Sequence, residues 1–235
     1  MPFWNGLLSA IGTVAVVTAA LFVANVILIV AVVLATGHMP SVNPGHPLLA
    51  TSEAIGYAAG GWFAWWRLRT TGLRPFRTIT RRDLRAILIG VAALVVARIG
   101  TGIQLVLSHQ TKHVQSGFEH FDVVTSVPMM TAIGITIGTL TMVLLAPVVE
   151  EITFRGLLFG ALAPRLGVVA SAVLTAVVFG AVHGDLVLFP TLAALGLINA
   201  LAYAATGNLW VPIALHAFNN TLGAIVLVAT SLQHH

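Results

Sequence analysis

Between Leu7 and Thr36 the chain runs for thirty residues without one charged side chain. Roughly 20 apolar residues already cross the hydrocarbon core of a bilayer, so this segment has length to spare and must tilt or protrude. It lacks the basic start and short apolar core of a cleaved signal peptide, and is expected to be retained. The rest of the chain continues in the same manner. Only 8% of the 235 residues are charged, against about 25% in a soluble domain, so no water-facing shell can be built. The expectation is an integral membrane protein, an all-α polytopic bundle of about seven spans, with residues 1–235 forming a single domain. There is no cysteine, which excludes a disulfide framework, a thiolate zinc site and a cysteine nucleophile.

After the first span, Gly37 to His46 reads as a loop, and a second span from Leu48 to Trp66 ends in Trp62, Trp65 and Trp66, residues of the kind that sit at headgroup level. Seven of the eleven Lys and Arg residues then fall between Arg67 and Arg85. Such a loop sets orientation, placing 67–85 in the cytoplasm, and needs no nucleic acid to explain it. Thr80-Arg-Arg-Asp83 has the spacing of a capping box and is expected to start a third helix running to Leu107. Ser108 to Ser126 carries His109, His113, Glu119, His120 and Asp122 at irregular spacing and reads as a solvated loop. The fourth span runs from Val127 to Ala163 with a break near Pro147, and Pro164-Arg-Leu-Gly167 turns it into the fifth, Val168 to His183. Leu186 to Ala205 and Trp210 to Leu232 complete the set. Gly56 and Gly60, Gly134 and Gly138, Gly156 and Gly160, and Gly180 and Gly184 form Gly-x-x-x-Gly pairs, read as helix packing. His234 and His235 are assigned no role.

Charge inside a span is expensive and is kept where it is used. Ala146-Pro-Val-Val-Glu150-Glu151-Ile-Thr-Phe-Arg155-Gly156 places two carboxylates and a guanidinium in an otherwise apolar stretch. Glu151 and Arg155 are four apart, on one helical face. Glu150 points about 100° away, so the two carboxylates should not share a partner. Glu151 is then neutralised and Glu150 left free, a group of the kind that takes and returns a proton. Two more polar pieces follow: Phe179-Gly-Ala-Val-His183 closes the fifth span, and His216-Ala-Phe-Asn-Asn220 puts an imidazole and a carboxamide on one face of the last. A peptide hydrolase needs a base for water, a partner to position that water, and donors for an oxyanion. Glu150 with His183, and His216 with Asn220, have the right chemistry. Glu150, His183 and His216 are equally candidate ligands for a divalent metal such as zinc, though no His-Glu-x-x-His signature demands one.

The ordered set Glu150-Glu151-x-x-x-Arg155, Phe179-x-x-x-His183 and His216-x-x-x-Asn220, with the lead-in Gly207-Asn-Leu-Trp-Val-Pro-Ile-Ala-Leu-His216, resembles the CPBP family. That family holds the CAAX prenyl proteases of the Ras-converting type and bacteriocin-processing or immunity proteins. The resemblance spans Ala146 to Thr221, in a motif-bearing core of about 127–232. It implies an intramembrane endopeptidase in which Glu150 activates water with His183, His216 and Asn220 stabilise the oxyanion, and Glu151, Arg155 and Phe179 support the site. Metal dependence stays open, between a divalent ion and none. The partners implied are a peptide or lipidated-protein substrate and the surrounding lipid, in a bacterial inner membrane. A non-enzymatic immunity or scaffold protein and a proton-coupled transporter are the rival readings.

Two points strain this reading. At about 1.5 Å per residue, His183 lies about 22 Å along span five while His216 lies about 9 Å into span seven, so straight helices would not bring them together. Arg98, alone in the third span, has Glu53, Asp122, a snorkelled position or the cavity wall as its options.

Overall fold

A computed structural model describes residues 3–38, 47–110 and 128–231. The loop carrying His113, Glu119, His120 and Asp122 and the terminal His234 and His235 lie outside the described residues. Among those described, every regular element is helical. In order these are α1 (Phe3–Thr36), α2 (Pro47–Thr70), α3 (Arg81–Leu107), α4 (Pro128–Leu140), a π-helical segment (Thr141–Leu145), α5 (Ala146–Glu151), a second π-helical segment (Ile152–Phe159), α6 (Gly160–Val182), α7 (Phe189–Thr206) and α8 (Trp210–Ser231). By length and composition four stretches are able to cross a membrane: Gly6–Thr36, Arg81–Leu107, Ala132–Val182 and Phe189–Thr206. That is fewer than the seven expected from hydropathy, and the longest of them is not one straight rod. Gly167 inside α6 has φ 76° and ψ 168°, outside helical geometry and cheap only for glycine. The chain doubles back there, since Phe154 and Phe179, on either side of it, meet edge to face at 5.1 Å.

The centre of the bundle is the rod built from α4, α5 and the two π segments. Every residue from Glu151 to Phe159 is buried, as a helix enclosed on all sides must be. Packed around it, α2 lies against α4 and α5, α8 against α5 and the first π segment, and α6 and α7 against each other, while α3 covers α7 and α8. α1 is peripheral, with only 6% of its span buried, and leans on α2.

Pro147 does not break the rod; it changes its winding. In the first π segment the Ala146 N–H donates to Thr141 O, one residue further back than in an α-helix. Continuing that register, Met142 O should accept from residue 147, but proline has no N–H.

At one end of the bundle the basic loop holds the α7–α8 turn. Leu209 N–H donates to Pro75 O at 2.8 Å, Asn208 Nδ2 to Arg77 O at 3.2 Å, and Arg77 Nη2 to Thr206 O. Thr80 caps α3 with both bonds of the capping box in place, and its partner Asp83 is fully buried. Gly207, at φ 66°, ends α7 in the left-handed conformation. This docking fixes where α8 begins, and therefore how deep His216 sits.

Candidate active site

Four helices converge on the two carboxylates. Glu151, fully buried, accepts three hydrogen bonds on Oε1, from Arg155 Nη1, Asn199 Nδ2 and His216 Nδ1, each at 2.9 Å. Arg155, also fully buried, gives its other arm to Gly196 O at 2.8 Å and lies over the Phe179 ring at 4.8 Å. An ion pair this deep is costly to desolvate, and the bonds from Asn199, His216 and Gly196 offset part of that cost, although Glu151 Oε2 and Arg155 Nε are buried without hydrogen-bond partners. The approach of α7 that brings Asn199 and Gly196 here needs glycine. A Cβ on Gly196 would meet Ala176 Cα at 2.9 Å.

Glu150 has a different environment. Its side chain keeps 14% exposure. Oε1 accepts the Tyr57 hydroxyl at 2.8 Å, whereas Oε2 is buried without a hydrogen-bond partner and lies 3.8 Å from His216 Nε2. The two carboxylates therefore do share a partner, against the expectation from helical geometry. An imidazole carries nitrogens on opposite edges, so one ring reaches both carboxylates although they point about 100° apart. A carboxylate oxygen accepts, so Nδ1 of His216 bears a hydrogen and donates it to Glu151, which fixes the ring with Nε2 towards Glu150.

His183 sits at the α6–α7 corner. Its Nδ1–H donates to Phe179 O at 2.7 Å, leaving Nε2 free, and its ring lies 4.8 Å from that of Phe179. His216 meets the same phenyl ring from another side at 5.5 Å. The depth mismatch between the histidines is thus bridged by the fully buried Phe179. His183 makes no hydrogen bond to Glu150.

Asn220 Nδ2 donates to Met142 O at 2.9 Å, the carbonyl that Pro147 leaves without an N–H. Asn220 Oδ1 accepts from Asn219 Nδ2 at 3.1 Å, and Asn219 in turn receives Arg98 Nε on its side chain at 3.0 Å and Arg98 Nη2 on its carbonyl at 2.9 Å. Arg98 therefore holds an asparagine of α8 in place of Glu53; Asp122, the other partner weighed for it, lies outside the described residues. Arg98 anchors a line of amides running from α3 through α8 to the rod. Tyr57 and Asn199 were not among the residues singled out from sequence. Each is an ordinary polar residue in a span, and only its tertiary neighbour marks it.

Of the metal candidates, Glu150 and His216 approach one another, Oε2 to Nε2 at 3.8 Å. Among the described residues no three His, Asp or Glu side chains come together as an ion site.

Comparison with known proteins points to the same region. Residues 132–222 match the family described as type II CAAX prenyl endopeptidase Rce1-like. The chain is 35% identical over 105 residues to a Bacillus subtilis (strain 168) protein named "Putative membrane peptidase YdiL", an alignment covering 45% of this chain and 40% of that protein. The chain therefore spans well under two thirds of that relative's length. No solved structure matches.

Proposed function

We propose that this chain, whose residues 132–222 match the Rce1-like CAAX prenyl endopeptidase family, is an intramembrane endopeptidase that hydrolyses a peptide bond with water activated by Glu150. The observation that carries the reading is the asymmetry of the two carboxylates. Glu151 is fully buried and takes three donors on Oε1, while Glu150 keeps 14% exposure, accepts one hydrogen bond, from Tyr57, and turns Oε2 towards His216 Nε2. Of the two carboxylates Glu150 is the one that keeps exposed surface, and a base must reach a water to act on it.

In the proposed step a water lies between Glu150 Oε2 and the scissile carbonyl. Oε2 takes its proton as the water oxygen bonds to the carbonyl carbon, and the carbonyl π electrons become an oxyanion. The second amide hydrogen of Asn220 is one donor for that oxyanion, and His216 is the other in its imidazolium form, with a hydrogen on both ring nitrogens. His183 Nε2 orients the water. Collapse of the intermediate breaks the C–N bond, and Glu150 returns its proton to the departing amine, leaving a carboxylic acid and an amine. The substrate is a peptide segment at or within the membrane, either a lipidated CAAX-type terminus or an unlipidated peptide, with the basic loop on the cytoplasmic side.

The test is cleavage of a farnesylated CAAX reporter and of an unlipidated peptide library by the detergent-purified protein, beside a Glu150→Gln variant shown to be folded. Cleavage by the parent with a loss on the order of a hundredfold or more in the variant is the expected result. Full activity in Glu150→Gln, or cleavage by neither protein alongside transport driven by a pH gradient in liposomes, would overturn it.

A further inference from the structure

The residue that touches Glu150 comes from outside the segment that matches the family. Tyr57 sits on α2, and the sequence packs α2 tightly enough to deliver it. Gly56 and Gly60 face α1, where added Cβ atoms would lie 3.0 Å from Leu21 Cα and 3.2 Å from Val17 Cγ1. Gly61 faces α5, where a Cβ would meet Val149 Cγ2 at 2.6 Å. Tyr57 precedes Gly61 by four residues and so shares its face of the helix. Gly61 packs on Val149, and the Tyr57 hydroxyl reaches the next residue, Glu150, at 2.8 Å.

A glutamate side chain has three rotatable bonds, and in a cavity it turns towards whatever donor is nearest. Around Glu150 the described charged and titratable groups are Tyr57 and Glu53 from α2, its neighbours Glu151 and Arg155, and His216 from α8. Of these, Tyr57 alone makes a hydrogen bond to it. We propose that Tyr57 is a positioning residue for Glu150. Its hydroxyl fixes Oε1, so that Oε2 is the oxygen turned to His216 and to the water. This keeps the base in its working rotamer before substrate arrives, which is where preorganisation gains rate. The N-terminal half is then part of the active site. The kinetic part of this proposal rests on the protease reading, and the geometric part does not.

The chain has two tyrosines, Tyr57 and Tyr203, which makes both parts measurable. Protein labelled with 13C at tyrosine Cζ gives two resonances. Replacing Glu150 by Gln is expected to move the Tyr57 resonance, assigned with Tyr57→Phe, and to leave that of Tyr203. Tyr57→Phe, which keeps the ring and its packing, is expected to stay folded and keep KM while lowering kcat roughly ten- to hundredfold, the value of a hydrogen bond to a charged group. A Tyr57 resonance indifferent to Glu150→Gln overturns the proposal whatever the activity. A resonance that moves while kcat in Tyr57→Phe is unchanged, or while the loss appears in KM alone, also overturns it. A folded parent that cleaves no peptide removes the protease reading and the kinetic role with it, and the resonance still decides whether Tyr57 holds Glu150.

Discussion

Asn220 donates its amide to the carbonyl of Met142 at 2.9 Å, and the reason lies five residues beyond that carbonyl, where Pro147 has no N–H to give. The π register at Thr141–Leu145 makes the defect and α8 repairs it. Such π segments recur at functional sites, and here one sits two residues before Pro147 in the rod that carries both glutamates. Asn220→Ala should cost about 1 kcal/mol by removing the donor of a half-buried carbonyl. Adding Pro147→Ala, which restores an N–H at that position, should recover most of that loss in a thermal-unfolding series. If the double variant regains stability and not cleavage, Asn220 also acts on the reaction; if it regains both, the residue is a brace alone.

Breaking the Glu151–Arg155 pair should be far more damaging than neutralising Glu150. Arg155→Ala leaves a fully buried carboxylate without its counter-charge, which typically costs about 3–5 kcal/mol. The expected outcome is aggregation or a large fall in unfolding temperature in detergent. Glu151→Gln with Arg155→Leu removes both charges and should recover much of that stability. It should stay inactive, because His216 Nδ1 then loses the carboxylate that fixes its ring. A double variant that is both stable and active would show the pair to be scaffolding only.

What sequence reveals here divides by distance along the chain. The Glu151–Arg155 pair, the Thr80 capping box and the Gly167 turn each depend on residues a few positions apart, and helical geometry is enough to find them. Tyr57 is 93 residues from Glu150 and Asn199 is 48 from Glu151, and no local rule connects them. Pro147 was visible as a place where the helix would be disturbed. That it shifts register without breaking the chain depends on Asn220 accepting the cost, a tertiary fact. The shared use of His216 was missed because angular spacing around a helix treats a partner as a point, and an imidazole has two working edges.

The glycine that seats α2 on α5 offers a test independent of any polar group. Gly61→Ala would put a methyl 2.6 Å from Val149 Cγ2, closer than side-chain carbons tolerate, so α2 must move outward and carry the Tyr57 hydroxyl away from Glu150. Overpacking of this kind costs about 1–3 kcal/mol, and a fall in cleavage rate should accompany it. Val149→Ala in the same chain removes the obstructing atom and should restore both. Gly12→Ala on α1, where no atom lies within 4 Å of the added Cβ, is the matching control and should be silent in both measurements.

Arg98 grips Asn219 by both its side chain and its carbonyl, a planar two-point contact that lysine cannot reproduce. Arg98→Lys keeps the charge and much of the stem, so any loss reads the geometry of the grip. Asn219 passes the restraint to Asn220, and Asn220 to Met142, so α8 loosens where it meets the first π segment. A destabilisation of about 1–2 kcal/mol is expected from the charge-assisted bond alone, with Arg98→Ala worse. If the line of amides acts as one network, Arg98→Lys and Asn220→Ala should be strongly non-additive in a double-mutant cycle. Additive losses would show that Arg98 steadies α3 against α8 without reaching the rod.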